Sequence, residues 1–361
     1  METDKRDYQQ ILGTLLKRAV DDGASDLFLI AGGPVSCKVD GVIRHLSEDK
    51  LFPEHTMGLI REIYSVAGRD LHKYQQEGDD DFSFAIPGLA RFRVNAFRQR
   101  GSYAAVVRVV QFEIPDYHKL KIPEEIISIA KKQHGMVIFC GTAGSGKSTT
   151  QACIIDKINR ERAAHIITLE DPIEYLHSNQ KSLISQREIA IDTQGYLSAL
   201  RACLRQAPDV ILLGEMRDYE TIRTAMTAAE TGHLILATLH TRGAVNTIDR
   251  IIDSFPPQQQ GQIRTQLAEV LITVVSQQLV PGTDGKMVPV FEIMHVNPAI
   301  RNMIRENKTY QIENAIKTSA PEGMISMDRY LVSLVDKGQI TKETAVEYAM
   351  NPEHVARKIN R

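Results

Sequence analysis

The sequence predicts an α/β protein in two parts: a small α+β domain, then a mostly parallel sheet covered by helices and finished by a helical C-terminal part. Three observations carry this prediction. The chain has 361 residues, more than one ordinary domain of about 100–200 residues. Past residue 123, short apolar runs alternate with helical stretches, the texture of a parallel sheet with helices on its faces. Finally, Gly141-Thr-Ala-Gly-Ser-Gly-Lys-Ser148 matches G-x-x-x-x-G-K-[ST] between an apolar run and a helix-forming stretch, the setting such a loop requires.

In chain order, Tyr8, Ile11, Leu12, Leu15, Leu16 and Ala19 recur at helical spacing and predict an amphipathic helix over 7–22, stopping before Gly23. Strand-like runs follow at Leu27–Ile30, Cys37–Val39 and Ala90–Phe97, with a second helix between Glu54 and Ala67. The segment Gln111–Pro123 carries two prolines and no sustained period, so it marks the domain boundary. The chain then reads as an N-terminal domain over 1–112, a linker over 113–122 and a second domain over 123–361. In that domain the apolar runs Met136–Cys140, His165–Leu169, Val210–Leu213 and Leu234–Leu239 are the predicted strands. Tyr219, Ile222, Met226 and Ala229 form one helical face, which Gly232 closes. Pro256–Gln262 reads as a Gln-rich turn, and the uncharged window Val270–Thr283 as a buried helix and its exit. From about Asn297 the sequence reads as helical, including the pattern Ile325, Met327, Leu331, Leu334 and Val335.

Apolar residues make up 43% and charged ones 24%, which excludes a disordered chain. Lys plus Arg total 43 against 45 Asp plus Glu, a formal net charge of -2. No whole-chain field attracts nucleic acid or an anionic membrane, so any anion site must be local. Met1–Tyr8 is charged and lacks a signal-peptide core, and no stretch approaches a transmembrane run of apolar residues. Cys37, Cys140, Cys153 and Cys203 form no C-x-x-C pair and read as reduced, buried thiols of a cytoplasmic protein.

The glycines of the Gly141–Ser148 loop let successive N–H groups and a helix N-terminus point at phosphate. Gly141, Thr142, Ala143, Gly144, Ser145, Gly146, Lys147, Ser148 and Thr149 therefore form the predicted phosphate site. Lys147 reaches the β- and γ-oxygens of ATP, and the Ser148 hydroxyl ligates Mg²⁺. Two acidic elements lie downstream. Val210-Ile-Leu-Leu-Gly-Glu215 places Glu215 at the carboxyl end of a strand, where open α/β sheets bind ligands. Glu170-Asp171-Pro172-Ile173-Glu174 sets three carboxylates at another strand exit, suited to holding Mg²⁺ through water and orienting an attacking water. A solvated acidic loop is the plain alternative. His233 and His240 flank Leu234–Leu239, roughly 23 Å apart if the strand is fully extended, so they cannot share one phosphate. If that strand runs parallel to the P-loop strand, His240 lies beside the nucleotide and His233 at the opposite edge, facing a subunit interface.

Between Phe82 and Phe112 there is no acidic residue, yet Arg91, Arg93, Arg98, Arg100 and Arg108 all occur there. In Arg91-Phe92-Arg93-Val94 a period of two puts both guanidiniums on one face of a strand. Arginine suits planar contact with phosphate oxygens, which predicts a first domain that closes over the nucleotide. The alternative is a solvated strand face.

GTAGSGKSTT, LEDPIEYLH, LRQAPDVILLGEMRD and AETGHLILATLHT, in that order, make the chain resemble the hexameric ATPases of the secretion superfamily. RFRVNAF and AIRNMIREN narrow the resemblance to the type IV pilus retraction, or twitching-motility, PilT-like group. The resemblance implies a PAS-like N-terminal domain, a RecA-like ATPase domain and a homohexamer. It further implies Mg²⁺-dependent ATP hydrolysis that pulls on pilin through an inner-membrane platform protein, from the cytoplasmic face of that membrane. By motif it makes Glu174 the general base and Glu215 the Walker B glutamate, also holding Mg²⁺ through water. Glu170 and Asp171 join the nucleotide site, His233 and His240 are the His-box pair, and Arg91, Arg93 and Arg108 face the nucleotide. Assembly ATPases of the superfamily usually carry an extra N-terminal domain and a tetra-cysteine zinc site, and the absence of both here favours retraction.

Four alternatives stay open at this level: a pilus or secretion assembly ATPase, an accessory retraction ATPase working with a second one, a RecA-like DNA motor, and a small-molecule kinase. Neutral charge and the lack of a basic, aromatic-laced stripe count against nucleic acid.

Overall fold

The helical spacing that opens the chain forms a helix at Tyr8–Asp21 that buries Leu12, Leu16 and Ala19 and ends where Gly23 turns left-handed. The computed structural model describes residues 7–39, 41–110 and 114–360. The charged start Met1–Arg6 and the first three residues of the boundary Gln111–Pro123 lie outside them. The chain divides into two units, residues 1–113 with 174–176, and residues 114–173 with 177–361.

The first unit is built on an antiparallel sheet of β1 (Asp26–Ile30), β2 (Pro34–Val39), β3 (Val42–Lys50), β4 (Asp79–Ile86), β5 (Ala90–Gln99) and β6 (Ser102–Val110), in the order β3-β2-β1-β6-β5-β4. In β5 the period of two is plain: Phe92, Val94 and Ala96 are buried, while Arg91, Arg93 and Asn95 share the other face. Helices Tyr8–Asp21 and Pro53–Val66 join the core with Leu16, Leu59, Ile60 and Ile63. Beneath them Asp80, whose side chain has no exposure, accepts from the Tyr64 hydroxyl at 3.0 Å and Arg69 at 3.2 Å, and pairs with Lys73 at 3.3 Å. Burial first, then the bond to Asp80, pushes the Tyr64 phenol well above its ordinary range, so it stays a donor.

The second unit holds β7 (Gly135–Cys140), β8 (His165–Glu170), β9 (Leu183–Glu188), β10 (Val210–Leu213), β11 (Leu234–Leu239), β12 (Leu271–Pro281) and β13 (Met287–His295), in the order β13-β12-β7-β11-β10-β8-β9. All neighbours are parallel except the β12–β13 pair. β7, β10 and β11 are buried along their whole length, which is why they read as unbroken apolar runs.

Two sequence readings are corrected here. Val270–Thr283 is not a helix and its exit: Leu271–Pro281 is β12, hydrogen-bonded to β7 on one side and β13 on the other. Burial on both faces removes the alternation that marks a strand, and only its β-branched Ile272, Thr273, Val274 and Val275 hint at it. The Gln-rich stretch after Pro256 is no turn either: Pro257 sits in the first turn of a helix spanning Pro257–Val270. The C-terminal part is helical as read, with Met327–Asp336 burying Leu331 and Leu334, although Ile325 pairs with Ile293 of β13 instead of joining that helix.

Asp80→Ala leaves two cations and a phenol around an emptied pocket. It should cost the first unit about 3 kcal/mol, the scale for breaking a buried ion pair. Urea unfolding of the full chain measures this, and a loss below about 1 kcal/mol, the level of an exposed pair, would mean that the network contributes little.

Candidate nucleotide and catalytic site

The predicted phosphate loop leaves the carboxyl end of β7. Gly141, Gly144 and Gly146 have φ of 144°, 75° and 89°, conformations that side chains rarely adopt. Gly141 has a second constraint: a Cβ there would lie 2.2 Å from the Gln277 carbonyl oxygen of β12. The helix Lys147–Glu161 starts directly after the loop, with no side chain capping its first turn. Lys147 is buried, and its ammonium donates to the carbonyls of Gly141 at 2.9 Å and Thr142 at 2.8 Å. Ser145 Oγ is buried without a hydrogen-bond partner among the described residues. A glycine cradle, an uncapped helix end, a cation and an unspent hydroxyl are what a polyphosphate would use. Ser148 is half-buried in the first helical turn. With Glu215 it supplies the oxygen donors that suit a hard cation such as Mg²⁺. Beside Gly146, Thr149 and Thr150 opens a cavity of about 470 Å³, walled by Leu279, Met287 and Val288 and edged by Lys119 and Lys121, a size that admits a nucleoside.

Strand register sets the rest. Cys140 of β7 pairs with Leu239 of β11, Ala237 with Leu213 of β10, and Leu213 with Leu169 of β8. The residues that follow these strands therefore emerge along one edge: Gly141, His240, Gly214-Glu215 and Glu170-Asp171. Glu215 is mostly buried, is bonded by Arg217, and has His240 Nε2 at 3.6 Å. Glu170 accepts from Thr168 Oγ1 at 2.6 Å and Gln186 Nε2 at 3.3 Å. The backbone past it is held by Ile173 N–H donating to the buried Glu188 at 3.1 Å. Asp171 is exposed, and its bond to Pro172 is cis. His177 closes the acidic stretch; burial pushes it down to about 4, so it is neutral.

The structure brings Glu170, Glu215 and His240 to the edge that carries the phosphate loop. β11 runs parallel to β7, the condition that puts His240 at the loop end. His233 lies at the other end of β11, where its ring nitrogen contacts the Ala228 carbonyl at 2.9 Å and its own carbonyl accepts from Gly135 N–H. Glu174 is exposed and groups with the first unit. There Arg93 and Arg108 are cross-strand partners lining a cavity of about 240 Å³ with Asp26, Asp81 and Asn95. Arg108 Nε donates to Asp26 at 2.9 Å, and Arg91 shares the Arg93 face. Arg98 instead stacks over Tyr103 at 5.6 Å and donates to the Gln75 carbonyl, while Arg100 occupies a left-handed turn with φ 50°.

Three residues escaped sequence reasoning. Gln277 abuts Gly141 with its carbonyl and accepts from Thr150 Oγ1 at 2.9 Å through its amide, but it sat in the window misread as a helix. Tyr196 places its hydroxyl 2.7 Å from where a Gly214 Cβ would be. Burial and the charges of Glu215 and Asp171 push that phenol far up. Glu292 of β13 binds the start of the helix that follows His240. Motif spacing gives no sign of any of them.

The chain is similar to known proteins. Residues 2–286 match the family described as Type II/IV secretion system protein. The type IV pilus retractation ATPase PilT of Pseudomonas aeruginosa is 44% identical over 340 residues, covering 94% of this chain and 98% of that protein. The twitching motility protein of Neisseria gonorrhoeae is 45% identical over 320 residues, 88% of this chain and 85% of that one. The crystal structure of the pilus retraction motor PilT with bound ADP superposes with a TM-score of 0.88 at 44% identity, covering 96% of this chain and 99% of that one. The chain belongs to the type II/IV secretion system protein family, and within it is similar over nearly its whole length to the PilT retraction ATPases.

Proposed function

We propose that the chain is a Mg²⁺-dependent ATPase that works as a homohexameric ring and powers type IV pilus retraction. The observation that carries the reading is the flush edge of β7, β11, β10 and β8, where a phosphate loop, a buried glutamate and an imidazole converge. Whole-length similarity to retraction ATPases supports the direction of movement.

In this reading the first domain, over 1–112, is PAS-like and the second, over 123–361, is RecA-like. Loop residues Gly141–Thr149 hold the phosphates of ATP, with Lys147 leaving its two carbonyls to meet the β- and γ-oxygens. Ser148, and Glu215 through water, would hold Mg²⁺, which would supply positive charge to offset that on those oxygens. Water attacks the γ-phosphorus, the bond to the β-bridging oxygen breaks, and ADP, phosphate and a proton leave. Glu174 takes the proton from the attacking water, with Glu170 and Asp171 ordering the acidic loop. His240, beside Glu215, contacts the γ-phosphate and reports its loss. Arg91, Arg93 and Arg108 of the first domain stabilise charge on the transferred group, so that nucleotide state sets domain orientation. His233, at the far end of β11, faces a neighbouring subunit. The ring acts at the cytoplasmic face of the inner membrane on a platform protein. Among the described residues no helix is long and apolar enough to cross a membrane.

Lys147→Ala should abolish ATP turnover while leaving the melting profile near that of the wild type; turnover equal to wild type would overturn the reading. Glu174→Gln should lower kcat by about 10²–10⁴-fold, the range of a general base, with binding of a fluorescent ADP analogue unchanged. A loss carried by weaker ADP binding would assign Glu174 to holding nucleotide instead.

A further inference from the structure

Glu292 lies on β13 with only 6% exposure, and its two carboxylate oxygens serve two different helices. Oε1 accepts from Ala244 N–H at 2.7 Å and Oε2 from Met327 N–H at 3.3 Å. Ala244 and Met327 are the first residues of the helices Ala244–Asp253 and Met327–Asp336. The first N–H groups of a helix lack partners within it and carry partial positive charge, so one carboxylate answers both ends.

The helix Ala244–Asp253 is entered through Thr241-Arg242-Gly243, the segment that leaves His240. Gly243 N–H donates to Ser276 Oγ at 3.1 Å, and its carbonyl accepts from Thr247 Oγ1 at 2.7 Å. A Cβ on Gly243 would come within 3.4 Å of Met350 Cε and 3.6 Å of Glu292 Oε1. On its other side the chain of caps continues. Asp328, next to Met327, accepts from Met350 N–H at 2.7 Å and Asn351 N–H at 3.1 Å, where the helix Pro352–Ile359 begins. One buried carboxylate thus ties the segment leaving His240 to the C-terminal helices.

We propose that Glu292 is a positioning residue for His240, coupling the packing of helix Met327–Asp336 to the catalytic edge of the sheet. The proposal rests on the reading of His240 as a γ-phosphate contact. Glu292→Gln keeps the shape, but its amide accepts from only one of the two helix ends and turns a donor toward the other. On the full chain, E292Q should lower kcat about tenfold, a scale that small misplacements of a catalytic group reach, with the affinity for a fluorescent ADP analogue unchanged. The double variant E292Q/H240A should be no slower than H240A alone. Asp80→Asn, which weakens a comparably buried carboxylate network in the first unit, should lower the melting temperature and leave kcat unchanged. Ser276→Ala, which frees Gly243 N–H and removes the hydroxyl's bond with the Cys140 thiol, should show the signature of E292Q at smaller amplitude, and it carries the test if E292Q does not fold.

Effects of E292Q and H240A that multiply, or a kcat that falls in D80N as far as in E292Q, would overturn the proposal and leave the reading of His240 standing. Wild-type turnover by H240A would overturn that reading, and the proposal with it.

Discussion

The sheet edge that carries the phosphate loop depends on a close approach between two backbones. β12 passes so near the end of β7 that the Gln277 carbonyl occupies the place a side chain on Gly141 would need. Only glycine allows the chain to leave β7 at that point and turn through φ 144° into the phosphate loop. With β7 held between β12 and β11, its register to β11, and through β11 to β10 and β8, sets every other functional group at the edge. A slip of one residue in the pairing of β10 or β8 would turn the carboxylate at its carboxyl end, Glu215 or Glu170, toward the opposite face of the sheet.

Electrostatics follow from that placement. Glu215 is mostly buried and is met by Arg217 and His240, while Glu170 is met by neutral donors from Thr168 and Gln186. The near-neutral charge of the whole chain conceals this, since an arginine-rich strand region and an acid-rich sheet edge cancel in the sum.

Sequence reasoning reached what short-range pattern encodes. The phosphate loop, the strands on either side of Glu215 and the opposite placement of His233 and His240 all follow from motif and alternation, because a motif of fixed spacing carries its own geometry. Long-range partners did not show. β12 is buried on both faces and its Ser-Gln-Gln stretch looks like neither a half-buried strand nor a core run, so Gln277 went unnoticed. Glu292 and Tyr196 act through neighbours 48 and 18 residues away in sequence, Ala244 and Gly214, and no local period records such a meeting. The arginines divide likewise: Arg91 and Arg93 share a strand face, whereas Arg98 lies near the end of the same strand over Tyr103 and Arg100 in the turn beyond it.

Whether ATP hydrolysis by this chain becomes pilus retraction is read out in cells. Deleting the gene and counting surface pili, alongside twitching, separates the directions of movement. Loss of a retraction motor leaves cells that carry more pili and do not twitch, restored by the wild-type gene and not by one encoding Lys147→Ala. Cells that lose their pili on deletion would contradict it.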